Sequence, residues 1–272
     1  GSDLSGRYEM ALNAFADSCP GQISTRLSGY TCVADLQPFL SAVPTNLRRK
    51  LPSDRLNLAL AFDGNMQQAS IRQLQLSLPG KLSLSANGRV ASLLQPDRLS
   101  ANLHIKAKAH NLAFVQPFLP LSVRKTVHLP RNIGLSGNIT ANGPHYAADL
   151  VATEGGGTLY VKAHFNRQSM AYTLTAKAKQ LHLEHFLPRQ GLQPFTGTVA
   201  TSGQGTDILS PKTGIRFKAN IDRFQYQSYA LDHIRGEVSL RQGHIDAHLL
   251  SNNRMIGGNI RVSGRISNRL VD

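Results

Sequence analysis

Two short groups of histidine and acidic residues are the first candidates for chemistry in this 272-residue chain. The segment His182–His185 reads HLEH, and the segment His244–His248 reads HIDAH with both histidines on one face of an alternating pattern. Neither has the Cys/His spacing of a structural zinc site, and HLEH is not the HExxH arrangement of zinc proteases. We therefore expect solvated histidines on the polar face of a basic sheet, and no metal site.

Glycine-rich stretches are the next candidates, at Glu154–Thr158 (EGGGT) and Ser202–Asp207 (SGQGTD). Neither ends in the Lys-Ser/Thr pair of a phosphate-binding loop, and neither opens a helical pattern, so both are typical of hairpin turns. The chain has no GxSxG nucleophile elbow, and its sixteen carboxylates are scattered without an evident acid/base pair. The sequence therefore predicts a protein that is not an enzyme and has no cofactor.

The net charge of +14, from 30 Lys and Arg against 16 Asp and Glu, indicates an anionic partner such as nucleic acid, phospholipid head groups or lipopolysaccharide. Most basic residues stand singly at alternate positions, and the tight clusters are Arg48-Arg49-Lys50 and Arg124-Lys125. Binding to single-stranded nucleic acid also needs aromatic stacking platforms. Because Phe62, Phe165 and Phe217 fall among Leu and Ile, we expect no nucleic-acid partner.

Cys19 and Cys32 flank a segment with the appearance of a hairpin, and a disulfide between them is left open by the sequence. No run of 18 apolar residues predicts a membrane-spanning helix. The sequence begins Gly1-Ser2 without Met and without a signal peptide, which is typical of a cloning remnant. We expect the chain to be an excised segment of a longer protein.

Strict alternation of apolar and polar residues dominates the rest of the chain, which is the period of a β-strand with one apolar face. The segment Leu99–Ala109 keeps the alternation for eleven residues, and similar segments recur to the end of the chain, separated by turn signals such as FDGN, LPGK and EGGG. Helical spacing is scarce. It is best at Asp35–Lys50, where Pro44 divides it, with shorter versions after Phe114 and Leu183. The pattern predicts a mainly β protein built as a long antiparallel meander.

A short apolar word recurs along the chain and divides it into units. QPFL stands at Gln37–Leu40 and again at Gln116–Leu119, and a near-copy, EHFLP, stands at Glu184–Pro188. Each copy follows or precedes alternating strands, which is the signature of stacked repeats and not of independent domains. We predict an N-terminal β unit at 1–34 and repeat units at 35–115, 116–183 and 184–272, all in one continuous architecture with short helices at the junctions.

The repeat pattern resembles the TamB branch of the AsmA-like superfamily, most closely the long TamB-type proteins of Bacteroidetes-like bacteria. The segments that carry the resemblance are Ala171–Pro188, Thr196–Asn253 and Leu135–Thr153. The resemblance covers nearly the whole chain without catalytic motifs. It implies a β-taco with a hydrophobic interior groove, in a periplasmic protein of a Gram-negative bacterium anchored in the inner membrane by an N-terminal helix. It also implies an outer-membrane BamA/TamA-like partner and roles in phospholipid transport and outer-membrane protein assembly.

An apolar sheet face must be covered, and with few helices the sheet must curl over itself into an open sandwich or taco. We expect phospholipid acyl chains, or those of another lipid, in the resulting groove. Three phenylalanines at the repeat junctions, Phe39, Phe118 and Phe186, are expected to plug inward. The predicted groove lining is Leu58, Leu60, Phe62, Leu103, Ile105, Ile139, Leu150, Val161, Leu174, Phe217 and Val238.

Two alternatives to the lipid conduit stay open at the level of sequence. A scaffold or chaperone would offer sheet edges to the strands of outer-membrane proteins during their assembly. An adhesin-like β-sandwich array would use the same alternation to build a closed core. The lipid, the direction of transport and the oligomeric state are not encoded in any motif that we recognise.

Overall fold

The structure is a computed structural model, and it describes residues 3–10, 23–32, 54–65, 67–92, 95, 97–118, 124, 126–205, 210 and 213–265. The predicted helical segment Asp35–Lys50, together with Cys19 and Phe39, lies outside these residues. The described chain is mainly β, as the alternation predicts. It contains a 3-10 helix, Ala113–Phe118, and an α-helix, α1, Leu183–Phe186. Both lie where the sequence predicts short helical elements.

Seventeen strands are described, and fifteen of them pair antiparallel in an order that follows the sequence within each unit. The remaining two, β13 and β14, form a small separate hairpin. The strand bounds are β1 Asp3–Met10, β2 Ile23–Cys32, β3 Arg55–Gly64, β4 Gln68–Leu78, β5 Leu82–Ala91, β6 Ser100–Ala109, β7 Ile133–Asn142, β8 His145–Glu154, β9 Gly157–Asn166, β10 Ala171–Leu181, β11 Phe195–Gln204, β12 Gly214–Arg223, β13 Gln225–Tyr226, β14 Tyr229–Ala230, β15 Ile234–Arg241, β16 His244–Asn252 and β17 Gly257–Arg265.

The chain divides into two compact units, Gly1–Gly143 and Pro144–Asp272, and each is described by itself. In unit 1, β1 to β7 pair in sequence order. In unit 2, β8 to β12 pair in sequence order, and β12 then pairs with β15, followed by β16 and β17. The predicted meander is therefore present in both units.

Tight turns fix the register of these hairpins. Gly155 and Gly156 join β8 to β9 with φ values of 53° and 91°, and Gln242 and Gly243 join β15 to β16 with φ values of 51° and 75°. Positive φ at both central residues is the turn geometry that matches the right-handed twist of paired strands. The EGGG stretch is thus a hairpin turn, as the sequence predicts.

The part of the segment between the two cysteines that the structure describes is not the hairpin that the sequence allows. Residues 23–32 make one continuous strand, β2, which pairs with β1 on one side and β3 on the other. Gly29 lies in mid-strand directly opposite Leu58. Leu27 and Gly29 continue the alternation of the apolar face, so pairing on both sides extends the segment as a strand.

Candidate functional site

The apolar residues of unit 1 form one continuous face across the sheet. Residues directly opposite each other in an antiparallel pair project to the same side, so the register identifies the face. Two neighbouring rows cross β2 to β7, namely Leu27, Leu60, Leu74, Ala86, Ile105 and Gly137, and Thr25, Phe62, Ile71, Gly88, Leu103 and Ile139.

Unit 2 repeats this arrangement across eight strands. One row is Ala148, Ala163, Leu174, Thr201, Phe217, Val238, Ala247 and Val262, and the next is Leu150, Val161, Ala176, Val199, Ala219, Gly236, Leu249 and Ile260. Aromatic rings extend the face further along β8 to β10, where the ring centroids of Tyr146 and Phe165 lie 6.5 Å apart.

The apolar faces are not packed to the density of a closed core. Among the described residues, no large side chain is less than 2% exposed, and the buried apolar residues are mostly alanines. Ile139, Phe217 and Leu249 are 37%, 39% and 43% exposed, although they sit on the apolar face. A sandwich core buries its large apolar side chains almost completely. Each face therefore combines partly exposed Leu, Ile and Phe side chains with smaller residues that are more deeply buried.

All eleven predicted lining residues fall on these two faces. Leu58, Leu60, Phe62, Leu103, Ile105 and Ile139 share the face of unit 1, and Leu150, Val161, Leu174, Phe217 and Val238 share that of unit 2. Nine are half-buried and two, Ile139 and Phe217, are exposed. Their role as a lipid lining stays a prediction.

The three predicted plugs have different outcomes. Phe39 lies outside the described residues. Phe118 is the last residue of the 3-10 helix, and its side chain lies outside the described part. Phe186 ends α1 and is half-buried. A sealing role for these residues stays a prediction.

Sequence reasoning missed Ile71, which is three residues from Leu74 and so out of phase with strict alternation. A β-bulge restores the phase, because Ile71 pairs with Phe62 and Leu74 pairs with Leu60. Both apolar side chains thus reach the same face, and the extra residue is accommodated around Arg72. The sequence did contain a signal for the bulge, because Ile71 and Leu74 are three positions apart within a segment that otherwise alternates every two residues.

The opposite face of each sheet is polar. In unit 1, Asp63 accepts from Ser24 Oγ at 2.7 Å and pairs with Arg72 at 2.6 Å. In unit 2, Glu237 Oε1 lies 3.2 Å from Lys218 Nζ and 3.8 Å from Arg216 Nε. These pairs are about half exposed, so each contributes little to stability.

Two depressions open on the polar face of unit 2. The larger, of about 510 Å³, is bordered by Lys218, Arg235, Glu237 and His248. The smaller, of about 380 Å³, lies beside it over β15 to β17. Charged side chains border both depressions, with Ala200 and Leu250 between them in the larger one, whereas the apolar face runs across all eight strands. The apolar face is therefore the more extensive candidate surface.

The histidines divide into two kinds. His104 Nδ1 lies 3.0 Å from Asn138 Oδ1, and His248 Nε2 lies 2.7 Å from Asn259 Oδ1, both on the polar face. These match the predicted solvated histidines. His182 and His185 lie instead on and beside α1, in the segment between β10 and β11, where the His185 side chain is 46% exposed and Glu154 is 6% exposed. The prediction of a polar sheet face is wrong for this pair.

Comparison of the chain with protein-family models, curated proteins and solved structures finds no match. In the described part of the chain, no helix has the length and apolar character that crossing a bilayer requires.

Proposed function

We propose that this chain is a TamB-type segment of the AsmA-like superfamily, and that its apolar sheet faces shield lipid acyl chains without catalysing a reaction. The observation that carries the proposal is the continuous row of half-exposed Leu, Ile, Val and Phe across each unit. Monomeric proteins rarely leave apolar patches of this extent in water unless the patch binds something.

The chemistry of the face favours an acyl chain as the occupant. The rows contain Leu, Val and Phe but almost no polar group apart from Thr25 and Thr201, so they offer contact area and few directional hydrogen bonds. Each buried methylene of a lipid contributes about 0.8 kcal/mol. A chain that slides from one apolar row to the next keeps this contribution, so movement along the face requires no chemical step.

The polar face supplies the complementary charge. It carries Lys106 and Lys108 in unit 1 and Lys218 and Arg261 in unit 2, in a chain with a net charge of +14. Phospholipid head groups carry an anionic phosphate, and a basic protein surface attracts it electrostatically. We propose that the whole protein is anchored in the inner membrane, works in the periplasm and delivers phospholipid toward an outer-membrane BamA/TamA-like partner. The curled, taco-like closure of the sheet belongs to this proposal.

A second candidate function is a scaffold for outer-membrane protein assembly, favoured by the last described strand. In β17 every residue is exposed, and among the described residues it pairs with β16 alone. An open strand edge presents unpaired backbone groups to which an extended client segment adds by β-augmentation.

Lipid extraction from the purified chain, followed by mass spectrometry, tests the conduit. We expect phospholipid to co-purify and to exchange with added vesicles of phosphatidylethanolamine and phosphatidylglycerol. A folded chain that carries no lipid and binds none from such vesicles would exclude the conduit. Crosslinks from β17 to nascent outer-membrane strands, in the absence of lipid, would instead support the scaffold.

A further inference from the structure

Two motifs meet in unit 2 through Glu154 and His185, which are 31 residues apart in sequence. The HLEH segment forms the start of α1, and the EGGG segment forms the turn between β8 and β9. Glu154, the residue before that turn, places Oε1 2.6 Å from His185 Nδ1. An ideal Cβ built on Gly155 would lie 3.1 Å from His185 Cε1 and 3.6 Å from His182 Cδ2. The absence of a side chain at Gly155 therefore lets the turn close on the two imidazoles.

The two histidines and Glu184 form a compact donor set. The rings of His182 and His185 stack with centroids 5.0 Å apart and an interplanar angle of 15°. His182 Nδ1 lies 2.8 Å from Glu184 Oε1. One ligand atom from each of His182, Glu184 and His185 lies within 4.8 Å of the other two. Ligands around a tetrahedral zinc ion lie about 3.4 Å apart, so a small side-chain adjustment brings the three into range.

Two buried carboxylate oxygens beside these histidines lack a hydrogen-bond donor among the described residues. The Glu154 side chain is only 7% exposed, and its Oε2 accepts no hydrogen bond from any described residue. Glu184 Oε2 is likewise buried without a donor. A buried carboxylate is strongly destabilising unless charge or hydrogen bonds compensate it. Two carboxylates, each with one oxygen that accepts no hydrogen bond from a described residue, thus lie beside two imidazoles, and their recorded ionisable partners are His185 and His182.

We propose that His182, Glu184 and His185 bind one Zn²⁺ ion, or a similar divalent transition metal, with Glu154 as the positioning residue. Because a carboxylate only accepts hydrogen bonds, His185 Nδ1–H donates to Glu154 and its Nε2 is left to ligate, which is the carboxylate–histidine arrangement of zinc sites. Two imidazoles and a carboxylate suit zinc, and three protein ligands leave one coordination position for water. The bound ion would hold three side chains of the HLEH segment together, and the hydrogen bond from His185 to Glu154 would tie them to the β8–β9 turn. The site is independent of the proposed lipid groove.

Zinc titration of the chain, after dialysis against a chelator and with a chromophoric chelator as competitor, tests the site. We expect one Zn²⁺ per chain and a higher melting temperature with zinc, because a ligand that binds only the folded state stabilises it. His185→Ala should weaken binding at least 100-fold. Glu154→Gln, which keeps the size of the side chain, should weaken it about 10- to 100-fold, as removal of an outer-shell partner does. His164→Ala, at an exposed position of β9, is the matched control and should change affinity less than twofold.

Binding of Co²⁺ gives a readout that does not depend on the stability of the variants. Wild-type chain should give the visible absorption of a tetrahedral site with nitrogen and oxygen ligands, and Zn²⁺ should displace it stoichiometrically. Absence of that spectrum, or equal zinc affinity in wild type and His182→Ala/His185→Ala, would overturn the proposal and identify the cluster as hydrogen-bonded histidine–glutamate pairs alone.

Discussion

Tyr172 on β10 lies directly opposite Gly203 on β11, and its phenol occupies the space where a side chain on Gly203 would stand. A Cβ at Gly203 would be 2.9 Å from Tyr172 Oη and 2.4 Å from the backbone oxygen of Gly214. The glycine thus allows an aromatic ring to lie across the apolar face of unit 2. Gly203 thus contributes to the apolar face of unit 2 by leaving room for the ring of Tyr172.

Gly203→Ala should destabilise unit 2 by about 1–3 kcal/mol, because overpacking displaces the ring and the neighbouring strand. Urea unfolding measures the change. Gly258→Ala is the matched control, since nothing lies within 4 Å of its added Cβ, and its effect should stay below about 0.5 kcal/mol. Equal effects of the two substitutions would contradict the proposed packing of Tyr172.

Leu103→Asp tests the apolar face as a lipid surface. Leu103 lies opposite Ile139 on the apolar face, whereas the preceding residue, Asn102, is exposed on the polar face. A carboxylate among Leu and Ile should reduce binding of a fluorescent fatty acid at least tenfold, because the acyl chain would have to desolvate the charge. Asn102→Asp introduces the same charge on the other face and should leave binding within twofold. Circular dichroism verifies that both variants keep their strands, and unchanged binding by folded Leu103→Asp would count against the lipid groove.

Deletion of Arg72 tests the bulge in β4, because it leaves Gln73 alone between Ile71 and Leu74 and so makes the alternation strict. Ile71 should stay opposite Phe62 on the apolar face. The loss of stability should stay below about 1 kcal/mol and come mostly from the ion pair with Asp63, whose partners are 51% and 40% exposed. Amide hydrogen exchange in β3 to β5 measures it locally. Arg72→Ala loses the same ion pair but keeps the bulge, so it is the matched control and should cost a similar amount. A much larger loss for the deletion than for Arg72→Ala would contradict the assignment of Arg72 as the extra residue.

Gly155→Ala and Gly156→Ala form a matched pair for the proposed zinc site. Both glycines have positive φ, at 53° and 91°, so both substitutions strain the turn. Only the Cβ at Gly155 would meet His185, whereas nothing lies within 4 Å of the one at Gly156. Gly155→Ala should therefore weaken zinc binding at least tenfold more than Gly156→Ala in the competition titration. Equal affinities would show that His185 tolerates displacement and does not ligate.

Alternation alone predicts most of the strands and the face on which each apolar residue lies. It succeeds at Leu99–Ala109 because every second position is apolar and every other is polar, so one register satisfies all strands. It fails at Ile71, where a bulge changes the phase, and at Leu27 and Val199, where neighbouring Gly and Thr weaken the signal. The possible hairpin between the cysteines is replaced by the strand Ile23–Cys32, because pairing with β1 and β3 extends these residues.

The histidine cluster could not be predicted from local spacing. HLEH has no recognisable ligand pattern, and EGGG is a turn signal that carries no chemistry of its own. Their meeting depends on the register of β8, β9 and β10, which places Gly157 and Leu181 side by side. A residue such as Glu154 acquires its significance only from the fold, because nothing in the sequence marks it as buried.

The pairing of each strand with its neighbours along the chain makes the length of the sheet adjustable. Each described strand of unit 1 pairs with the strands that come directly before and after it in the sequence. Neighbouring strands lie about 4.8 Å apart, so insertion or loss of one hairpin would change the span of such a unit by roughly 10 Å and leave the other pairs intact. The number of hairpins therefore sets the width of each unit.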